Sequence, residues 1–121
     1  MAQTKNTPTN EPHWSSELPI SITVCDREGI IVDMNDRAKT TFATDGGSKL
    51  IGTNVLDCHP EPSRSQLSVM LKHATQNVYT IEKNGVKKLI YQTPWYRDGE
   101  YQGFVELSLQ IPESMPHFVR K

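Results

Sequence analysis

No apolar run in this 121-residue sequence approaches the ~20 residues that would span a bilayer, so no membrane helix is expected. Met1-Ala2-Gln3-Thr4-Lys5 leads into no apolar signal-peptide core. Basic clusters are missing too, and the formal net charge is -1, so the electrostatic footprint of a nucleic-acid binder is lacking. Two cysteines, Cys25 and Cys58, make no disulfide framework. Catalytic signatures are also absent: no Gly-Xaa-Ser-Xaa-Gly, no phosphate loop and no His-Glu-Xaa-Xaa-His. Ser65 and Ser68 lie on one exposed helix with no evident base. Asp26, Asp33 and Asp36 surround a turn and a helix start, where acidic residues cap and solubilise. The expectation is a soluble cytoplasmic protein, not an enzyme, contacting neither membrane nor nucleic acid.

The clearest pattern present runs from Lys87 to Ile111. Leu89, Tyr91, Thr93 and Trp95 alternate with more polar neighbours, and Tyr101, Gly103, Val105, Leu107, Leu109 and Ile111 do so after Asp98-Gly99. Period two means strands with one buried face. A two-residue Asp98-Gly99 loop would set Trp95 opposite Gln102 and mix apolar with polar on each face. A three-residue loop, Arg97-Asp98-Gly99, pairs Trp95 with Tyr101, Thr93 with Gly103, Tyr91 with Val105 and Leu89 with Leu107. That register gathers the apolar side chains on one face and places Gly99 at the left-handed position, so the three-residue loop is expected.

Taken in order, residues 1–17 are rich in Thr, Asn, Pro and Ser and read as a mobile tail, with Trp14 as its one docking anchor. Ile20–Val24 and Ile30–Met34 read as a hairpin around Asp26-Arg27-Glu28-Gly29. Asn35 is the N-cap of a short helix through Phe42, on which Ala38 and Phe42 share a face. Ser48 to Leu56, interrupted by Gly52, suggests short helical turns. Two prolines keep Cys58-His59-Pro60-Glu61-Pro62 from regular helix. Ser63-Arg64-Ser65-Gln66 has the capping-box pattern, and Leu67, Met70, Leu71 and Ala74 make an apolar helical stripe behind it. Val78–Glu82 is a strand, Asn84-Gly85 a hairpin turn, and Pro112 and Pro116 end the sheet. Strands enclosing a block of helices indicate an α+β fold, a five-stranded antiparallel sheet with the helices on one face.

This order resembles a PAS domain over roughly Leu18 to Ile111. Asp26-Arg27-Glu28-Gly29-Ile30-Ile31 followed by Asn35 resembles the PAS opening. Ile51-Gly52-Thr53-Asn54-Val55 resembles the family's turn before its long helix, and Asp98-Gly99-Glu100-Tyr101-Gln102-Gly103 with Val105-Glu106 its final hairpin. More narrowly, Val55-Leu56-Asp57-Cys58-His59-Pro60 is similar to the Cys-His-Pro-Pro segment of PAS domains that accompany hemerythrin-like domains, with Glu61 in place of the second Pro. The resemblance implies a PAS domain over residues 18–112, a C-terminal tail at 113–121, and a first strand placed centrally beside the last. It also implies a sensor or interaction module in signal transduction, with a small-molecule pocket between sheet and helices. The pocket candidates are Cys58, His59, Leu67, Met70, Leu71, Tyr91, Trp95 and Val105.

No cofactor follows from the residues alone. The alternative function is a heme-binding gas or redox sensor, with iron ligated through His59 or Cys58. Against it, the Cys-His-Pro segment can serve simply to cap the following helix, and no second pair of ligands stands at zinc spacing. His73 lies about 100° off the apolar stripe and points to solvent. Flavin photochemistry is disfavoured: Asn54 is followed by Val55, and Cys58 arrives only four positions after the Asn. Cys25 reads as a small buried strand residue. In the expected register Ile90, Tyr96 and Phe104 point outward, so a homodimer or a signalling partner is expected on the uncovered face.

Overall fold

The computed structural model describes residues 13–121. Its elements are β1 (Ser21–Asp26), β2 (Ile31–Met34), α1 (Asp36–Thr41), α2 (Ser63–His73), β3 (Asn77–Lys83), β4 (Val86–Arg97) and β5 (Glu100–Gln110), with short 3-10 turns between the helices. The strands form one sheet in the order β2-β1-β5-β4-β3, every neighbouring pair antiparallel. The first strand is therefore central and beside the last, as expected. None of its helices is long and apolar enough to cross a membrane.

Most of the expected tail lies outside the described residues. From His13 on, the chain is a turn tied to the domain: the Ser15 carbonyl accepts from Asn35 Nδ2 at 2.9 Å, and the Ser16 carbonyl from the Asp36 amide at 3.0 Å. Trp14 does not dock on the sheet; it is 75% exposed. Residues 112–121 form no regular element and are exposed.

Asn35 caps α1 and does more. Its Oδ1 accepts from the amides of Ala38 and Ile22, both at 3.0 Å, while Nδ2 donates to Ser15 and to the Ile20 carbonyl at 2.7 Å. One buried amide thus joins the entry turn, the start of β1 and the helix.

The capping box on α2 is not formed. Pro62 occupies the cap position, and the carboxylate of Glu61 reaches forward instead, accepting from the Ser65 amide at 3.2 Å and the Ser65 hydroxyl at 2.7 Å. Those two bonds hold the Glu61 carboxyl below its usual range. A carboxylate serves the helix N-terminus better than a neutral Ser, because it also meets the helix dipole.

The β4–β5 register differs from the expectation. Arg97 pairs with Glu100, so the turn is the two-residue Asp98-Gly99, with φ of 52° and 80°. Two positive φ values define the hairpin turn that matches strand twist. A bulge then skips Gln102: Tyr96 pairs with Tyr101, but Trp95 pairs with Gly103, Thr93 with Val105 and Tyr91 with Leu107. The objection that Trp95 would face Gln102 is removed by the bulge, not by a longer loop.

Beyond the bulge the pairing is displaced by two residues from the expectation, an even shift that keeps each face's side chains together. What differs is the face covered, since the helices pack on the Cys25–Phe104 side. Phe104 and Ile90, expected outward, are buried on the helix side, Phe104 in one cluster with Cys25 and Leu71. Tyr101 also faces the helices, its hydroxyl donating to the Leu71 carbonyl at 2.8 Å, with Tyr96 beside it at 6.3 Å between ring centroids. Trp95 and Tyr101 therefore do not share a face. Strand alternation from Cys25 and Phe104 turns Ile22, Val24, Leu89, Tyr91, Trp95, Leu107 and Leu109 outward.

Gly99 keeps its expected positive φ, and a Cβ there would meet nothing within 4 Å. Gly99→Ala should therefore cost only the conformational term, about 1 kcal/mol. Urea denaturation reads it directly; an unchanged midpoint would mean a different turn.

Candidate functional site: a cavity between sheet and helices

A cavity of about 510 Å³ lies between the inner face of the sheet and the helical segments. Its floor is strand residues: Thr23 and Cys25 of β1, Ile31 and Met34 of β2, Gln92 of β4, and Phe104 and Glu106 of β5. Its roof is Phe42, Leu50, Val55, Leu67 and Met70, with Asp45, Cys58 and His59 adding polar groups.

The roof is held by local chemistry. Gly29, at φ +89°, brings the β1–β2 turn against Asn54, whose Nδ2 donates to the Glu28 carbonyl at 3.1 Å. The Val55 amide donates to the Gly29 carbonyl at 2.8 Å, and Asn54 Oδ1 caps the next turn by accepting from the Leu56 amide at 2.9 Å. The PAS-like opening and the Ile51–Val55 turn are thus one connected unit.

His59 follows that turn. Its Nδ1 lies 2.6 Å from the Val55 carbonyl. A carbonyl only accepts, so Nδ1 carries the proton and Nε2 is left as a lone-pair acceptor. The His59 carbonyl in turn accepts from Arg64 Nε at 3.1 Å, which fixes the segment against α2.

On the floor a relay of amides ends at a carboxylate. Asn77 Nδ2 donates to Gln92 Oε1 at 3.0 Å, and Gln92 Nε2 to Glu106 Oε1 at 2.7 Å. Next to Glu106 across β1–β5 is Thr23, whose Oγ1 is buried without a hydrogen-bond partner, alone in this among the described residues. Burial pushes the Cys25 thiol pKa up, against a weaker opposing hydrogen bond from the Phe104 backbone, so Cys25 is a neutral wall residue. Cys58 is exposed at the rim. Among the described residues no three His, Cys, Asp or Glu side chains are grouped to hold a metal ion.

Of the residues singled out from sequence, Cys58, His59, Leu67, Met70 and Val105 border the cavity. Leu71 sits beneath it, buried against Cys25 and Phe104. Tyr91 and Trp95 do not reach it. They lie on the outer face, where Trp95 Nε1 donates to the Cys25 carbonyl at 3.2 Å. Gln92, Glu106 and Thr23 were missed because the helices cover the face opposite the apolar Leu89–Trp95 alternation, a choice no local strand pattern marks.

No family model matches the sequence, and no curated protein matches it. Solved structures do. The PAS domain of Bordetella pertussis BvgS superposes with a TM-score of 0.60 at 19% identity, covering 82% of this chain and 82% of that one. A sensory box sensor histidine kinase from Vibrio cholerae gives 0.60 at 16% identity, over 80% and 85%. The Aer2 receptor from Vibrio cholerae, described as a dual PAS-heme oxygen sensor, gives 0.54 at 20% identity, over 77% and 95%. With its central first strand, its helices on one face and the cavity between them, the chain has the fold of a PAS domain.

Proposed function

We propose that this protein is a PAS-type sensor or interaction module without catalytic activity, which takes a small molecule into the cavity between sheet and helices. The cavity carries this reading: about 510 Å³ walled mainly by apolar side chains with a few polar groups is the form of a small-molecule site. The resemblance of Cys58-His59-Pro60 to the hemerythrin-associated PAS type supports a role for that segment in the wall. Occupancy would act by population shift, favouring one arrangement of the helices over the sheet. The test is binding of 1-naphthalenemethanol to the parent chain and to Leu67→Trp, which fills the space. Uptake by the parent and its loss in Leu67→Trp are expected; His59→Ala should weaken uptake with little effect on stability. Equal uptake by parent and Leu67→Trp would place the probe elsewhere.

A heme reading has one feature in its favour, the His59 Nε2 lone pair left free for a metal. The rest of the wall fits poorly: Asp45 and Glu106 are acidic, and among the lining residues there is no Lys or Arg to meet the propionates. The visible spectrum of the purified chain decides, since heme would give a Soret band.

The outer face supports self-association. It carries an apolar row that Trp14 leaves open, and two-fold pairs are the commonest soluble assembly. A homodimer is expected in sedimentation at micromolar concentration, and Leu107→Glu should return it to monomer. A parent chain that is monomeric throughout would leave this face to a signalling partner.

A further inference from the structure

Resting on the cavity's reading as a small-molecule site, we propose that its ligand is a hydrophobic amine, held through its ammonium group by Glu106. The inference comes from the hydrogen-bonding character of the wall. Glu106 has one carboxylate oxygen engaged by Gln92, and the amide relay from Asn77 fixes that orientation. The second oxygen has no protein donor among the described residues. A carboxylate offers about four acceptor sites, so most of its capacity faces the cavity unfilled.

The other polar groups have the same sense. With Nδ1 donating to Val55, His59 offers only an acceptor at Nε2. Asp45 is a second carboxylate. No Lys or Arg is among the lining residues, so a carboxylate or phosphate ligand would meet two like charges and no opposite one. A divalent metal is unsupported as well, because the acidic groups and His59 are not gathered around one point. What remains is an organic molecule that donates hydrogen bonds and carries positive charge. Its apolar body would lie along Met34, Leu50, Leu67 and Phe104. Hydrogen bonds to a charged partner are the stronger kind, and partial burial beside Phe104 reduces their competition with water.

The test compares three probes of one shape at neutral pH: 1-naphthylmethylammonium, 1-naphthalenemethanol and 1-naphthoate. Affinities are measured by calorimetry on the full chain. The ammonium should bind on the order of tenfold tighter than the alcohol, the naphthoate weakest of all. In Glu106→Gln, which retains an acceptor for Gln92, the ammonium should fall to the level of the alcohol. The order of the three probes on the parent chain tests the inference even if that variant does not fold. Equal binding of ammonium and alcohol, or a preference that survives Glu106→Gln, would overturn the amine assignment and leave the small-molecule reading standing. Failure of all three probes to bind at millimolar concentration would overturn the small-molecule reading itself.

Discussion

Gly103→Ala is expected to abolish cooperative folding or come close to it. Gly103 has φ of +144° and pairs on one side with Asp26 of β1 and on the other with Trp95 of β4. A Cβ there would stand 2.0 Å from the Cys25 carbonyl oxygen and 2.6 Å from the Asp26 carbonyl carbon. Both obstacles are backbone, so neither can rotate aside. The central strands β1 and β5 would have to part, and the bond from Trp95 Nε1 to that same Cys25 oxygen would go with them. Backbone overlap of this kind belongs with the exceptional substitutions costing more than about 4 kcal/mol. A domain of this size typically has about 5–15 kcal/mol in all. Urea denaturation beside Gly99→Ala separates the mechanisms, since both glycines have positive φ and only Gly103 meets backbone. Equal losses for the two variants would contradict the β1–β5 approach described above.

Asn35→Ala should have the next largest effect. Removing the cap from α1 costs about 1 kcal/mol. The Ile22 amide also loses its acceptor, and the carbonyls of Ile20 and Ser15 lose a donor in a site where Asn35 itself is 7% exposed. Orphaning those groups adds about 1–3 kcal/mol, for a total of about 3 kcal/mol. Asn35→Asp separates the two halves of the amide. It keeps the acceptor for Ala38 and Ile22 but points an oxygen, not an NH2 group, at two carbonyls. It should therefore lose stability too, whereas a residue acting only as a helix cap would tolerate it. A parent-like denaturation midpoint for Asn35→Asp would reduce Asn35 to that ordinary role.

Asn35 and the hairpin turns show what was legible in the sequence. A cap and the Asn84-Gly85 pair act within a few residues, so local chemistry specifies them before any packing is known. Asp98-Gly99 marked the place of the other turn but not its length, which is two residues and not the expected three. Strand order followed from the spacing of those signals and from the resemblance to PAS domains. The β4–β5 register was a different problem. Whether Tyr101 answers Tyr96 or Trp95 depends on Gln102 being skipped, and the skip depends on Gly103 lying against β1, a strand some 80 residues earlier in the chain. Nothing local to the hairpin records that approach. The pairing moved by two residues, which leaves each face's side chains together. The site was misplaced because the helices cover the Cys25–Phe104 face, leaving Tyr91 and Trp95 outside it and Gln92 and Glu106 within. Cys58, His59, Leu67 and Met70 escaped the error because they belong to the covering segments themselves, whichever face of the sheet those cover. Glu61 was overlooked as the α2 cap because the Ser63 pattern was complete in itself; the structure resolves the competition in favour of the charged group.

The account's central claim is that the space between sheet and helices receives a small molecule. Methyl-resolved NMR of the full chain during titration with 1-naphthalenemethanol tests it most directly. The predicted result is a saturable set of shifts confined to Met34, Leu50, Val55, Leu67 and Met70, with the outer-face methyls of Val24, Leu89, Leu107 and Leu109 unmoved. Shifts concentrated on the outer face, or no saturable shifts at all, would contradict it.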